Sequence, residues 1–377
     1  MRSTSSPCLR GCWLSPNRTS TAHARLGIEG TGVVDALGSD IAGLEIGDPV
    51  ILTAIPDASV RGSYAEYTTV PASRVIARPA GLTVTEAAAV WVAYSTAYGA
   101  LVEKAGMRPG DHVLITAASG GVGRAAMQIA SQIGAVPIAI TRHSAKKDAL
   151  LSAGAAAVIA TDQVDLAEAV RRHTGGAGAD IVLDVVMGPG QQDLLKAARP
   201  GATLVVAGFL DPRPTPFPAV APLTIHRYRS FDHTLDAVVV KRMAAFLNAG
   251  VRLGTLRPAV GQVFALDDVV EAHRYLEEGR HDGKIVVTVG RLPQPARGHL
   301  EGGSRGQRLH LDELAVLPLG DVAGRDRGVR GRVERDQPGD GPRVGARDGG
   351  VELARAGAAG PGERVGQHPG EAWPGSR

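Results

Sequence analysis

Over roughly a hundred residues the chain alternates short apolar runs with segments whose apolar residues recur at helical spacing, and no other feature constrains its fold as tightly. Strand-like runs cover 113–115, 136–140, 157–160, 181–186 and 203–207. Helix-like segments begin near Val122 and cover 145–153, 166–173 and 191–198. Ala126, Ile129, Ala130 and Ile133 form the apolar stripe of the first helix, and Gly134 and Gly154 stop the first two. Parallel strands need crossover helices between them, so this order predicts an α/β fold with a doubly wound parallel sheet.

Between the first strand and the first helix stand Ala117, Ala118, Ser119, Gly120, Gly121, Val122 and Gly123. Small residues let a backbone turn sharply and approach a pyrophosphate, whose charge meets the unpaired N–H groups and positive end of the following helix. A bare glycine turn would also serve an unliganded domain. The repeated strand and helix context favours a dinucleotide site.

The end of the second strand faces the adenosine ribose, and it distinguishes the two common dinucleotides. NAD sites usually place an acid about 20 residues after the glycines. Here the chain reads Thr141, Arg142, His143, Ser144, Ala145, Lys146, Lys147, with no carboxylate before Asp148. Arg142, Ser144 and Lys146 could surround a 2′-phosphate with charge-assisted hydrogen bonds, so NADPH is the expected cofactor. Solvated cations opening a surface helix are the alternative, although cations there oppose the helix dipole.

A chain of 377 residues with 44% hydrophobic content can hold two or three domains. No apolar run reaches membrane-spanning length and no secretory signal is evident, so the expected location is cytoplasmic, without a membrane partner. The net charge of +3 is spread out, which argues against nucleic acid. Cys8 and Cys12 are the only cysteines, too few for a disulfide framework or a cysteine-rich metal site.

Both ends differ from the middle. Residues 1–23 show no periodicity, and a strand at 31–35 then begins as if in mid-domain. Residues 291–377 contain no Lys, Ile, Phe, Tyr, Met, Cys, Asn or Thr. Such a segment has little to bury and reads as a disordered, low-complexity tail. The missing types are mostly those with adenine- or thymine-rich codons, as an out-of-frame GC-rich message would give; a genuine disordered tail is the alternative.

Gly27-Ile-Glu-Gly-Thr-Gly-Val-Val, Gly47-Asp-Pro-Val, Gly62-Ser-Tyr-Ala-Glu-Tyr, Thr96-Ala-Tyr-Gly-Ala-Leu, Pro109-Gly-Asp, the 117–123 loop and Gly283-Lys-Ile-Val-Val follow one another in this order. Together they resemble the medium-chain dehydrogenase/reductase superfamily, and within it the zinc-independent quinone oxidoreductase branch, truncated at the N-terminus. The resemblance spans about 24–290. It implies a Rossmann NADP-binding domain at 96–232, inserted in a GroES-like β-barrel catalytic domain made of 24–95 and 233–290. It also implies NADPH-dependent hydride transfer to a quinone, enone or related carbonyl compound, and a homodimer. Zinc-dependent members carry Gly-His-Glu, where this chain has Gly27-Ile28-Glu29. Isoleucine cannot ligate a metal, so no metal is expected.

Without a metal, catalysis must rest on orientation, water exclusion and polarisation of the carbonyl oxygen. Tyr64, Tyr94 and Thr96 are the catalytic candidates, Thr96 matching the threonine that the family places near the nicotinamide. Gly208 and Phe209, at the end of a strand, are expected to border the cofactor. Trp91, Tyr94 and Phe209 fit a filled core equally well, and Lys284 reads as solvated. His23, His226, His233 and His273 form no triad in sequence. The competing function is NADP(H) binding with little turnover, because the family's first catalytic segment has no counterpart here.

Overall fold

The computed structural model describes residues 26–39, 41–55, 61–217, 223–279 and 281–289, with the backbone of 307–310 and 315–316. The 1–23 leader, with Cys8 and Cys12, and most of the 291–377 tail lie outside these residues.

Among the described residues, β1 (Gly30–Ala36), β2 (Pro49–Leu52), β3 (Tyr67–Val70) and β4 (Val75–Ala77) come first, followed by helix α1 (Val84–Tyr98). Thr83 starts α1 with a reciprocal capping box: its hydroxyl accepts from the Glu86 N–H, and its own N–H donates to Glu86 Oε2 at 2.9 Å. A π-helical turn at Gly99–Lys104 ends the helix.

The parallel sheet follows: β5 (His112–Ile115), α2 (Gly121–Ile133), β6 (Val136–Thr141), α3 (Lys147–Ser152), β7 (Ala157–Ala160), α4 (Leu166–His173), β8 (Ala179–Asp184), α5 (Gln191–Ala197), β9 (Ala198–Val206) and β10 (Thr224–Arg227). Strand order is β10-β9-β8-β5-β6-β7, with every pairing parallel. This is the expected doubly wound Rossmann sheet. Its strand order reverses between β5 and β8, which opens a crevice at their carboxyl ends.

Alternation along the strands explains why they read as continuous apolar runs. Val113, Ile115, Ile181, Leu183 and Val205 face one core with α1 and α2, whereas Leu114, Val182, Leu204, Ile138 and Ile159 face the other with α4 and α5. Both faces are covered, so neither can be polar. Each fully buried Leu or Ile contributes about 1.5–3 kcal/mol.

Helix α6 (Ala237–Leu253), capped by Asp236 and stopped by Gly254 in the left-handed region, buries Val239, Val240, Met243 and Leu247 in the core shared by α1 and α2. The same core holds Val113, Ile115, Ile181 and Val205 of the parallel sheet. The chain then adds β11 (Val260–Ala265) and, after helix α7 (Val269–Glu277), β12 (Lys284–Thr288) to the sheet that contains β1.

Two stretches of the 291–377 segment are described, β13 (Gln307–His310) and β14 (Ala315–Val316). Strand β13 pairs antiparallel with both β1 and β3, and β14 with β1 and β12. Ladder pairing between strands uses backbone groups alone, so a composition poor in apolar side chains does not preclude it.

Candidate functional site

The switch point of the sheet is built around the turn after β5. Ala117 adopts the left-handed region, with φ 45°, unusual for a residue with a side chain. Gly120 caps α2 without a side chain, and the first helical ladder bond runs from Arg124 N to Gly120 O. The first-turn N–H groups thus meet no side-chain acceptor from their cap, the arrangement an anion needs. At Gly123 an added Cβ would sit 2.6 Å from Ala117 O and Ala118 Cα, so only glycine lets the helix lie this close to the turn. Ala118 is buried, and Ser119 and Val122 partly so.

Across the switch point, Asp184 at the end of β8 is fully buried. It accepts from Thr116 Oγ1 at 3.1 Å, Val186 N at 2.9 Å, Met187 N at 3.1 Å and Gln191 Nε2 at 2.9 Å. Val185 N in turn donates to Thr116 Oγ1 at 2.9 Å. This network fixes the turn opposite the glycine loop, where Met187 is the second non-glycine residue with positive φ among those described. Gly208 comes so near that an added Cβ would lie 2.4 Å from Val185 O. Phe209, 40% exposed, stands beyond it.

The expected phosphate ligands share the end of β6, and each has an acidic neighbour. Ser144 N and Oγ both donate to Asp162 Oδ2, at 3.1 and 3.3 Å. Lys146 Nζ lies 3.2 Å from Asp282 Oδ1 and 3.3 Å from Ser119 Oγ. Arg142 is exposed and within electrostatic reach of Asp211, whose carboxyl is held below the usual range chiefly by its hydrogen bond from Arg213. The Thr141 hydroxyl is engaged locally with the His143 backbone. Neither Asp162 nor Asp282 has a sequence signal, because their partners lie 18 and 136 residues away.

The second lobe reaches this loop through Gly283 and Lys284. Gly283 N donates to Ser119 O at 3.1 Å, and Gly120 and Gly283 form a parallel bridge. Lys284 is not solvated, as its sequence context implied, but 3% exposed. Its stem covers Gly121, where an added Cβ would lie 2.7 Å from Lys284 Cδ, and its Nζ pairs with Glu29 Oε1 at 2.6 Å. Glu29, 1% exposed, also accepts the N–H of Val92 at 2.8 Å, in the middle of α1. A buried ammonium needs such a partner, which is why Lys284 folds inward instead of reaching solvent.

Of the catalytic candidates, Tyr94 is buried and its hydroxyl donates to Gln128 Oε1 at 2.6 Å. Gln128 is further tied to the Arg257 backbone, so Tyr94 joins α1 to α2. Thr96 is buried on α1. Tyr64 buries its hydroxyl without a hydrogen-bond partner, edge-on to His273 with ring centroids 6.0 Å apart. Burial, helped by the charge of Glu29, pushes the Tyr64 hydroxyl pKa well above its ordinary value. Trp91 fills core, its indole N–H donating to Thr53 O at 2.6 Å. Among the described residues no group of three or more His, Cys, Asp or Glu is placed to hold a metal, and no helix is long and apolar enough to cross a membrane.

Comparison with known proteins bears on this geometry. The alcohol dehydrogenase GroES-like domain family matches residues 7–80, and the zinc-binding dehydrogenase family matches 153–287. Quinone oxidoreductase of Homo sapiens is 28% identical over 267 residues, 69% of this chain and 78% of its own. A crystal structure of an NAD-dependent alcohol dehydrogenase superposes with a TM-score of 0.63 at 32% identity, over 71% of this chain and 83% of that one. The mycobacterial protein Rv1454c, solved in complex with NADPH, gives 0.63 at 28% identity, over 69% and 81%. The inserted parallel sheet, the glycine loop at its switch point and these relatives agree: the chain belongs to the medium-chain dehydrogenase/reductase superfamily of oxidoreductases.

Proposed function

We propose that the protein is a zinc-independent reductase that uses NADPH to reduce a quinone, enone or related carbonyl compound. The observation that carries this reading is the switch point itself, where uncapped N–H groups of α2, the left-handed Ala117 and the Arg142–Lys146 segment converge. These residues fit a dinucleotide, with the pyrophosphate on the 118–123 turn and the 2′-phosphate near Arg142, Ser144 and Lys146. The quinone oxidoreductase relative and the NADPH-bound neighbour support the same assignment. Zinc fits poorly: Ile28 offers no donor atom, and Glu29 is already engaged by Lys284 and Val92.

A reduced nicotinamide, when bound, supplies a hydride to an electron-poor carbon. The chain's part is to orient both reactants, exclude water and donate to the carbonyl oxygen as charge develops there. Tyr64 is our choice for that donor, because its hydroxyl is unspent among the described residues. Thr96 lines the nicotinamide side, while the Tyr94 hydroxyl, already engaged by Gln128, serves the packing of α1 on α2 and not the reaction. A homodimer is supported by β10, an outer strand of the parallel sheet whose Ile225 is 42% exposed.

NADPH oxidation in the presence of a quinone tests the reading. Tyr64→Phe should lower kcat by about 100-fold if the hydroxyl assists charge development, whereas Tyr94→Phe should leave it within about twofold. Absence of NADPH and NADH binding by the folded protein would overturn the dinucleotide reading, and turnover unaffected by Tyr64→Phe would remove Tyr64 from the mechanism.

A further inference from the structure

We propose that Asp282 sets the cofactor preference of the dinucleotide site by competing with the 2′-phosphate for Lys146. The inference rests on the NADPH reading above and adds to it a determinant from outside the Rossmann lobe.

Asp282 precedes β12 and approaches the adenosine end of the site only because its neighbours are fixed by backbone contacts. Gly283, at φ 80°, donates to Ser119 O, and an added Cβ there would lie 2.5 Å from Ala259 O. On the other side, a Cβ at Gly261 would lie 2.1 Å from Asp282 O. Two glycines thus permit a close chain crossing that no larger residue would allow, and the crossing holds the Asp282 carboxylate 3.2 Å from Lys146 Nζ. Lys146 also donates to Ser119 Oγ at 3.3 Å, so the ammonium is anchored between the glycine loop and the second lobe.

A 2′-phosphate arriving at Lys146 meets a carboxylate already paired with it. It must share the ammonium and tolerate the nearby negative charge, or displace Asp282. NADH carries a hydroxyl at that position and contests nothing. The effect of Asp282 is therefore selective for NADPH. Asp162, bonded to Ser144, and Asp211, near Arg142, add to the negative surroundings, but among the described residues neither forms an ion pair with a cation expected to bind phosphate. Asp282 is the acid in direct contact with such a cation.

The test is a pair of fluorescence titrations, NADPH and NADH, on the full chain and on Asp282→Asn, Lys146→Ala and the double variant at low ionic strength. Asp282→Asn should tighten NADPH about three- to tenfold and leave NADH within about twofold, and the gain should shrink as salt rises. It should vanish when Lys146 is already alanine. Lys146→Ala alone should weaken NADPH selectively. If Lys146→Ala does so while Asp282→Asn alters neither cofactor, or both equally, the proposal falls and the NADPH reading stands. If neither variant discriminates between the cofactors, both fall. Unchanged NADH affinity serves as the folding control in each variant, and Asp282→Ser replaces the asparagine variant should that one fail to fold.

Discussion

Each lobe buries a carboxylate near the glycine loop, and the two are satisfied by opposite chemistry. Asp184 in the Rossmann lobe is surrounded by neutral donors: a threonine hydroxyl, two backbone N–H groups and a glutamine amide. Glu29 in the other lobe is met by a full positive charge, Lys284, 255 residues away in sequence. The first arrangement shapes a turn within one sheet. The second fastens β1, α1, β12 and the glycine loop to one another, and it concentrates risk, since losing either charge strands the other in a dry site.

The largest effect should therefore come from Lys284→Met, which fills similar space but leaves Glu29 unpaired. A loss of about 3–5 kcal/mol is expected, read as a drop in Tm of roughly 6–15 °C. Adding Glu29→Gln should restore much of it, because the remaining polar group can still accept from Val92. A single variant as stable as the parent would show that the pair contributes little and that the lobes are held by packing alone.

Asp184→Ala should cost less, about 2–3 kcal/mol, because it orphans hydrogen-bond donors without leaving a charge behind. Asp184→Asn keeps one oxygen for Thr116 and the turn and should cost less again. Urea unfolding of the two variants checks the order. If asparagine is as damaging as alanine, the negative charge matters more than the acceptor geometry, and the contrast with Glu29 collapses.

The Rossmann lobe was legible because its information is local. Strand, turn and helix follow within about 30 residues, and periodicities of 2 and 3.6 announce each element. Strand β8 even ends an apolar run with Asp184, a signal that could have marked the switch-point turn. The other lobe brings together strands from before and after the inserted sheet, so its pairs have no local signature. Lys284 reads as solvated until Glu29 is placed beside it, and Lys146 reads as free until Asp282 arrives. Arg142, Ser144 and Lys146 do cluster just after β6. Their acidic partners come from distant segments, and one sequence carries no record of those contacts.

The smallest expected effect concerns His273, which sits on α7 edge-on to Tyr64 and extends the comparison from acids to a base. Burial lowers its pKa below the ordinary value, and the charge of Glu277 only partly opposes this. In the unfolded chain the ring takes up a proton near pH 6.5, whereas the folded protein resists it until lower pH. The unfolded state therefore binds more protons in that interval, and stability falls as pH drops below about 7, levelling once the folded-state value is passed. Because the ring is only partly buried, the slope should lie well under the roughly 1.4 kcal/mol per pH unit of one full proton. His273→Phe should flatten the stability profile between about pH 7 and 5 while leaving neutral-pH stability nearly unchanged. Chemical denaturation at a series of pH values would show this, and a variant profile parallel to that of the parent would place the acid sensitivity elsewhere.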